Sequence, residues 1–584
     1  MRNRKAPPGT VKKFLRLISR YKFSAVLSLL CSAASVALTL FIPFLFGRAI
    51  DLIIGAGAVD ITAVVRILIL AFALAGVCAV FSWLAANINN RITLGVSQDI
   101  RNACYEKINS LPLSYLDSHP SGDTLSRVIS DVEQLSDGLL LGFTQFFSGA
   151  LTIAGTLIFL LTLSWRVALV VVCLTPVSLF AAKFIARRSY AFFSEQSAVR
   201  AGQTALINEF TANLKTVKAF AKEKDMLGKF SGINEKLRKT SLKAIFYSSI
   251  TNPATRFVNA IVYAAAAFAG AAAVISPAGS LSVGMLTCVL SYANQYTKPF
   301  NEISGVAAEL QNALSCAARV FELLEAAGEC PDAENAAVIS EPSGNIALSD
   351  VCFSYTPDRE LIKNLNLNVS SGQKIAIVGP TGCGKTTLIN LLMRFYDTDS
   401  GSIFFDGSDI KNIKRASLRS CWRMVLQESW LMAGSVRDNI RMGKPRASDA
   451  EIIEAARRAH SYSFIKKLPN GLDTVIGEDS TALSQGQKQL LCITRVMLSL
   501  PPALILDEAT SSIDSRTEIR IQKAFSELMQ GRTSFIVAHR LSTILEADLI
   551  LVMNNGKVIE QGTHEQLLAK HGFYERLFNS QFET

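Results

Sequence analysis

Six apolar segments, each near the ~20 residues needed to cross a bilayer, fill the first half of this chain. They run roughly over Phe23–Phe46, Val64–Ala86, Leu139–Leu163, Val167–Ile185, Ile250–Ile275 and Val283–Thr297. Their length and unbroken apolarity select helices. A chain of 584 residues with 49% hydrophobic and only 18% charged residues fits this reading, and the excess apolarity sits in the N-terminal half.

The connections alternate in length. Those around Asp51–Asp60, Ser164–Arg166 and Ser276–Ser282 are short; Asn87–Asp137 and Ala186–Tyr247 are long, charged and helix-patterned. Lys and Arg concentrate in the long connections and before the first segment, which puts those connections and both termini in the cytosol. The net charge of +11 is explained by this asymmetry, and no aromatic–basic interleaving points to nucleic acid. The expected location is the plasma (inner) membrane, crossed many times. The first apolar run is too long for a secretory leader and reads as a retained span. Eleven cysteines lack CxxC pairs, and Cys31, Cys78, Cys173 and Cys288 lie in apolar runs as reduced small hydrophobes.

Thr10–Tyr21 places Val11, Phe14, Leu15 and Ile18 on one helical face and reads as an amphipathic helix at the cytosolic interface. The long connections read as the spans continuing beyond the membrane. Pro112–Gly122 interrupts the first with Pro and Gly, so a short helix there can dock on a cytosolic domain; Asn208–Phe220 is the counterpart in the second. The expected domains are residues 1–325, with the interfacial helix and six spans, a linker over 326–345 where periodicity is lost, and an α/β domain over 346–584.

In that last domain, Ala376-Ile377-Val378 reads as a buried strand, GPTGCGKT (Gly379–Thr386) as a glycine loop, and Thr387–Leu392 as a helix. The loop amides and the helix N-terminus converge on one point, where triphosphate oxygens can sit. Gly379, Thr381, Gly382, Gly384 and Thr387 belong to this cradle. Lys385 adds a point charge, and Thr386 offers a hydroxyl to Mg²⁺. A second strand, Leu504–Leu506, ends in Asp507, suited to hold Mg²⁺ through water, and Glu508, suited to polarise an attacking water.

With Leu483-Ser484-Gln485-Gly486-Gln487 just before that strand, the domain resembles the ATP-binding cassette family, and the six-span half resembles its exporter-type membrane domain. The resemblance implies a helical transmembrane domain with long cytosolic extensions joined to a P-loop ATPase, acting as an ATP hydrolase coupled to transport, with ATP and Mg²⁺ as cofactors. It assigns Tyr355 to stacking on adenine, Gln427 to the glutamine loop that senses Mg²⁺ and γ-phosphate, His539 in IVAHR to the γ-phosphate, Asp514 in SSIDS to the loop across the dimer, and Glu478 in IGEDS to contact with the membrane helices. It implies a dimer, with Ser484, Gly486 and Gln487 acting on the partner's nucleotide. Thr386, Gln427 and Asp507 are the metal-facing residues, and Glu508, His539 and Gln427 the catalytic ones.

Departures from the family pattern carry further expectations. Gln485 replaces a consensus Gly while Glu508 and His539 are kept, which resembles one subunit of the heterodimeric bacterial multidrug exporters; a homodimer stays open. Cys383 stands where many phosphate loops have Ser. At a helix N-terminus its thiol is expected to have a lowered pKa and to react, with an inert small side chain as the alternative. Arg256 falls inside the fifth apolar segment, either as a contact for anionic or amphipathic cargo or as a residue that snorkels to the inner interface. The expected cargo is amphipathic compounds, drugs or lipids, moved outward across the lipid bilayer. Import of metal-chelate complexes on the same fold, or an ATP-gated channel or sensor, are the alternatives.

Overall fold

The computed structural model describes residues 9–53, 59–275, 281–356, 360–426, 429–477, 483–507, 513–537 and 544–582. The chain forms two compact units. One contains residues up to Asn109 together with Pro120–Ala326; the other contains Ser110–His119 and Ala327 onward.

The first unit is helical. Helix α1 (Thr10–Ile18) precedes α2 (Lys22–Asp51) and α3 (Ile61–Ser110); after a short helix α4 (Leu113–Ser118), which belongs to the second unit, come α5 (Ser121–Leu163), α6 (Trp165–Ala212), α7 (Leu214–Ala219), α8 (Glu223–Ile275) and α9 (Val283–Glu325). Among the described residues, four runs are long and apolar enough to cross a membrane: Arg16–Asp51, Ile61–Ser110, Ser121–Leu163 and Glu223–Ile275. Trp165–Val177 is a shorter apolar stretch at the start of α6. The four long runs cover the first, second, third and fifth expected spans; the sixth, in α9, carries Asn294, Gln295 and Lys298 and does not stand out by apolarity as they do.

Inside the unit, Leu40, Leu160, Val171, Val262, Ala266, Val289 and Tyr292 pack into one core. The Tyr292 hydroxyl donates to the Leu40 carbonyl at 2.6 Å, so the phenol is buried without an orphaned polar group. Outward, Phe23, Phe72, Phe180 and Phe268 are exposed, as on a surface solvated by acyl chains. The helices do continue well past the apolar runs. Arg319 on α9 forms a forked ion pair with buried Asp131, and Arg127 bridges Asp123 (2.9 Å) and Glu322 (3.3 Å). Lys13 on α1 pairs with Glu325, and beyond its end Arg20 and Tyr21 both reach Asp99, at 3.2 and 3.1 Å.

The second unit is built on strands β1 (Ile346–Phe353), β2 (Ile362–Val369), β3 (Lys374–Val378), β4 (Ser400–Phe405), β5 (Ser408–Asp409), β6 (Trp422–Val425), β7 (Gly434–Ser435), β8 (Val475–Ile476), β9 (Ala503–Asp507), β10 (Thr533–Val537), β11 (Leu549–Asn554) and β12 (Lys557–Gly562). The central sheet has the order β12-β11-β3-β10-β9-β6, parallel except for β12; a smaller antiparallel sheet has the order β2-β1-β4-β5. The parallel strands β3, β9 and β10 are almost wholly buried and apolar, as strands covered on both faces must be.

Residues 326–345, expected to be a linker, are a docked strap. Buried Arg415 donates to the Cys330 carbonyl at 2.6 Å and to Asp332 at 2.9 Å, and Arg419 reaches Glu329 at 2.5 Å. Ala337 bridges Ile413, and the amides of Ser343, Gly344 and Asn345 converge on Asp406. Burial alone would raise the Asp406 carboxyl, but the Ser343 hydroxyl and these amides outweigh it and hold it below its ordinary range.

Candidate functional site

The glycine loop joins β3 to helix α10 (Lys385–Leu392). Gly379 has φ of +151°, and a Cβ there would lie 2.2 Å from the Met553 carbonyl oxygen, so only glycine lets the loop leave β3 against β11. Thr381, Gly382 and Thr386 are exposed at the mouth of the loop, whereas Gly384 and Thr387 are buried beneath it. The Lys385 ammonium donates to the carbonyls of Gly379 (2.7 Å) and Pro380 (3.1 Å), folded back over the cradle it is expected to serve. Thr386 and Asp507 offer hard oxygen donors, the chemistry a magnesium ion selects.

Cys383 corrects the expectation of a reactive thiol. Its side chain is 3% exposed, and burial pushes its pKa up, outweighing the opposite pull of Lys385. The sulfur belongs to the buried core cluster that includes Leu388 and Met553, and the Lys385 ammonium and the backbone amides beside it lower the pKa less than burial raises it.

The sheet register aligns the other elements. Val537 on β10 is opposite Ile377 on β3 and Asp507 on β9, and Val425 on β6 is opposite Leu506. Adjacent parallel strands therefore end at one level beside the loop, the edge where open α/β sheets hold ligands. Asp507 is the last residue of β9. Gln427, Glu508 and His539, which follow β6, β9 and β10 in sequence, lie outside the described residues, as does Glu478.

Tyr355 is 46% exposed. Its ring meets Phe353 and Tyr396 edge-on, at 4.9 and 5.0 Å between centroids, and its hydroxyl accepts from Asn390 on α10 at 3.2 Å. It is thus anchored over the helix that the loop opens, with one side left free. Sequence reasoning did not single out Tyr396 or Asn390. Asn390 lies on α10 and Tyr396 just past its end, so nearness to the loop in the chain was the available signal.

The signature segment opens helix α11 (Gln485–Ser499). Ser484 is the N-cap, and its hydroxyl accepts from the Gln487 amide at 3.3 Å while the Gln487 side chain accepts from the Ser484 amide at 2.9 Å. This reciprocal capping box gives Gln487 a structural task of its own at the start of α11. Gly486 is held against helix α12 (Ser515–Met529): a Cβ would come within 2.5 Å of the Thr517 methyl. Asp514 caps α12 through the Thr517 amide at 2.9 Å, which holds its carboxyl below the ordinary range. Ser484 and Gln485 are exposed.

Helix α4 falls within the ATPase unit: Ser110 accepts from the Glu329 amide at 2.8 Å, and Asp117 accepts a short hydrogen bond from the Tyr396 hydroxyl. Helix α7 is exposed along most of its length, with Leu214 and Phe220 uncovered. Arg256 is exposed on α8.

Residues 25–300 match the family model for the ABC transporter transmembrane region, and residues 362–511 that for the ABC transporter. An uncharacterised ABC transporter ATP-binding protein of Bacillus subtilis, YfiC, is 36% identical over 98% of this chain and 94% of its own length. A fatty acid ABC transporter ATP-binding/permease protein of Mycobacterium bovis is 38% identical over 89% of this chain and 82% of its own. The structure of a bacterial Atm1-family ABC exporter with ATP bound superposes with a TM-score of 0.78 at 28% identity, covering 97% of this chain and 98% of that one. A glycine cradle at the aligned ends of parallel strands, fused to apolar helices and matched over nearly its whole length by such proteins, makes this chain a member of the ABC transporter family, a multi-pass membrane protein that binds ATP and couples its hydrolysis to transport.

Proposed function

We propose that this chain is one half of a dimeric exporter in the plasma membrane, with six spans and cytosolic termini, that moves amphipathic compounds, lipids or drugs outward. The observation that carries the reading is helix α4: it follows directly from apolar helix α3 yet belongs to the ATPase unit. Movement of that unit must then pull on a membrane helix. The fatty acid transporter relative supports an amphipathic cargo.

In this reading Tyr355 stacks on adenine, the loop amides and Lys385 hold the phosphates, and Thr386, Asp507 and Gln427 face Mg²⁺. The ion would neutralise charge that develops on the phosphoryl oxygens. Glu508 polarises the attacking water, and His539 contacts the γ-phosphate. Ser484, Gly486 and Gln487, with Asp514, meet the nucleotide of the partner. Closure of two ATPase units on two ATP moves α4 and α7, turning the cavity outward; hydrolysis resets it. Gln485 beside a retained Glu508 favours a heterodimer.

The test is ATP-dependent flux of a fluorescent fatty acid in inside-out vesicles. Accumulation against a gradient supports a pump and removes the gated channel; uptake into inside-out vesicles supports export, and loss from preloaded ones import. Native mass measurement of the complex from its own host distinguishes two different chains from two copies.

A further inference from the structure

Three residues of the ATPase unit, Tyr355, Tyr396 and Asp117, form a connected path from the proposed base site to the helix that leads into the membrane. Tyr355 is fixed on three sides: by Phe353 of β1, by the Asn390 amide on α10, and by the edge of Tyr396. Tyr396 also meets Phe353, at 5.5 Å, and its hydroxyl donates to Asp117 on α4. A cluster that merely filled a core would be buried. Here Tyr355 is 46% exposed, Tyr396 is half-buried and Asp117 is exposed, so the path runs along the surface from an open aromatic face to a single carboxylate.

We propose that Tyr396 is a positioning residue that carries occupancy of the Tyr355 face by a nucleotide base to helix α4 through its hydrogen bond to Asp117. The proposal rests on the reading that Tyr355 bears the base. A base stacking on the open face of Tyr355 presses on a ring that Phe353 and Asn390 keep from retreating, so the load falls on the remaining neighbour, Tyr396. The Tyr396 hydroxyl is held at a charged acceptor, a stronger bond than one between neutral groups. Burial, with Asp117 beside it, pushes the phenol's pKa up, so it stays a donor throughout the physiological range. The aromatic edge and the hydroxyl thus serve different ends: the edge supports Tyr355, and the hydroxyl holds α4.

The experiment uses the full-length protein in lipid nanodiscs and follows amide exchange of residues 113–118 by mass spectrometry. Adenylyl imidodiphosphate with Mg²⁺ is compared with tripolyphosphate and Mg²⁺, which fills the phosphate cradle without a base. In the wild type the nucleotide is expected to slow exchange about tenfold and tripolyphosphate less than about twofold. Tyr396→Phe keeps the edge and loses the hydroxyl: KM for ATP should stay within about twofold while the protection of α4 falls about tenfold, the scale of one hydrogen bond to a charged acceptor. Asp117→Ala should copy Tyr396→Phe, and Asp117→Asn, which still accepts, should restore part of the protection. Full protection in Tyr396→Phe, or equal protection by tripolyphosphate in the wild type, overturns the proposal. Tyr355→Ala separates the two levels. If it leaves KM for ATP unchanged, the base-site reading fails and this inference with it; if KM rises about tenfold while Tyr396→Phe keeps its protection, only the relay fails.

Discussion

Asp507 stands opposite Val537 in the parallel ladder, and Val537 in turn stands opposite Ile377. One register therefore brings the end of the carboxylate strand level with the strand that feeds the glycine loop, although the two are separated by about 130 residues of chain. The proposed metal-facing role of Asp507 depends on that alignment, because a carboxylate displaced by one strand residue would point to the opposite face of the sheet.

Glu508 follows Asp507 directly, so Glu508→Gln tests the proposed division of labour. Hydrolysis should fall by on the order of 10²–10⁴, the contribution of a positioned general base, while ATP binding is retained. Phosphate release and nucleotide retention on the purified complex measure both; an equal loss of binding would place Glu508 in the binding site and not at the attacking water.

Gly379→Ala should be severe. The added methyl would meet the Met553 carbonyl at 2.2 Å in a backbone conformation that L-residues rarely adopt. We expect a loss of about 2–4 kcal/mol together with loss of ATP binding, read as a lowered melting temperature. Gly382→Ala, which meets no atom within 4 Å, should cost less despite its φ of +79°.

Gln487 serves the capping box and is also proposed to face the partner's nucleotide. Gln487→Ala should destabilise α11 by about 1 kcal/mol, as loss of a cap does. Gln487→Glu keeps an acceptor for the Ser484 amide and should preserve the melting temperature. If Gln487 lies beside phosphate in the dimer, the same Glu variant should nonetheless lower ATPase activity through charge repulsion; unchanged activity would leave it only the capping role.

Cys383 should be slow to alkylate. Its buried thiol titrates above the ordinary 9.0, so at pH 8 it carries less thiolate than a free cysteine, and its reactivity should rise only as pH climbs past that value. Iodoacetamide mapping at pH 8 should label exposed Cys330 well before Cys383. Rapid labelling of Cys383 would restore the reactive-thiol expectation.

Arg415 is 7% exposed and binds the strap residues Cys330 and Asp332 as well as Asp397. Arg415→Ala should cost about 2–3 kcal/mol, below the range for a wholly buried pair because its acceptors are partly solvated. Arg415→Lys should rescue little, since an ammonium cannot span the same acceptors with a planar fork. Thermal unfolding of the full-length protein measures both.

Much of this protein was legible from its residues. Apolar runs of membrane length, basic long connections and the GPTGCGKT loop between a strand and a helix are local patterns, set by the cost of burying charge and by backbone geometry over a few residues. The same local view went wrong at Cys383, where position beside a helix N-terminus argued for a reactive thiol but burial in the core decides. The docking of the linker expected over 326–345 leaves no sign in its own residues, because the arginines that hold it lie 85 to 90 residues away in the chain. The local pattern determined what the chain is made of: spans, a phosphate cradle, a signature and a carboxylate strand. Only the tertiary structure decided that β3, β9 and β10 end together and that Tyr396 joins Tyr355 to Asp117, because such relations depend on register and packing between segments whose separation along the chain leaves no trace in local periodicity.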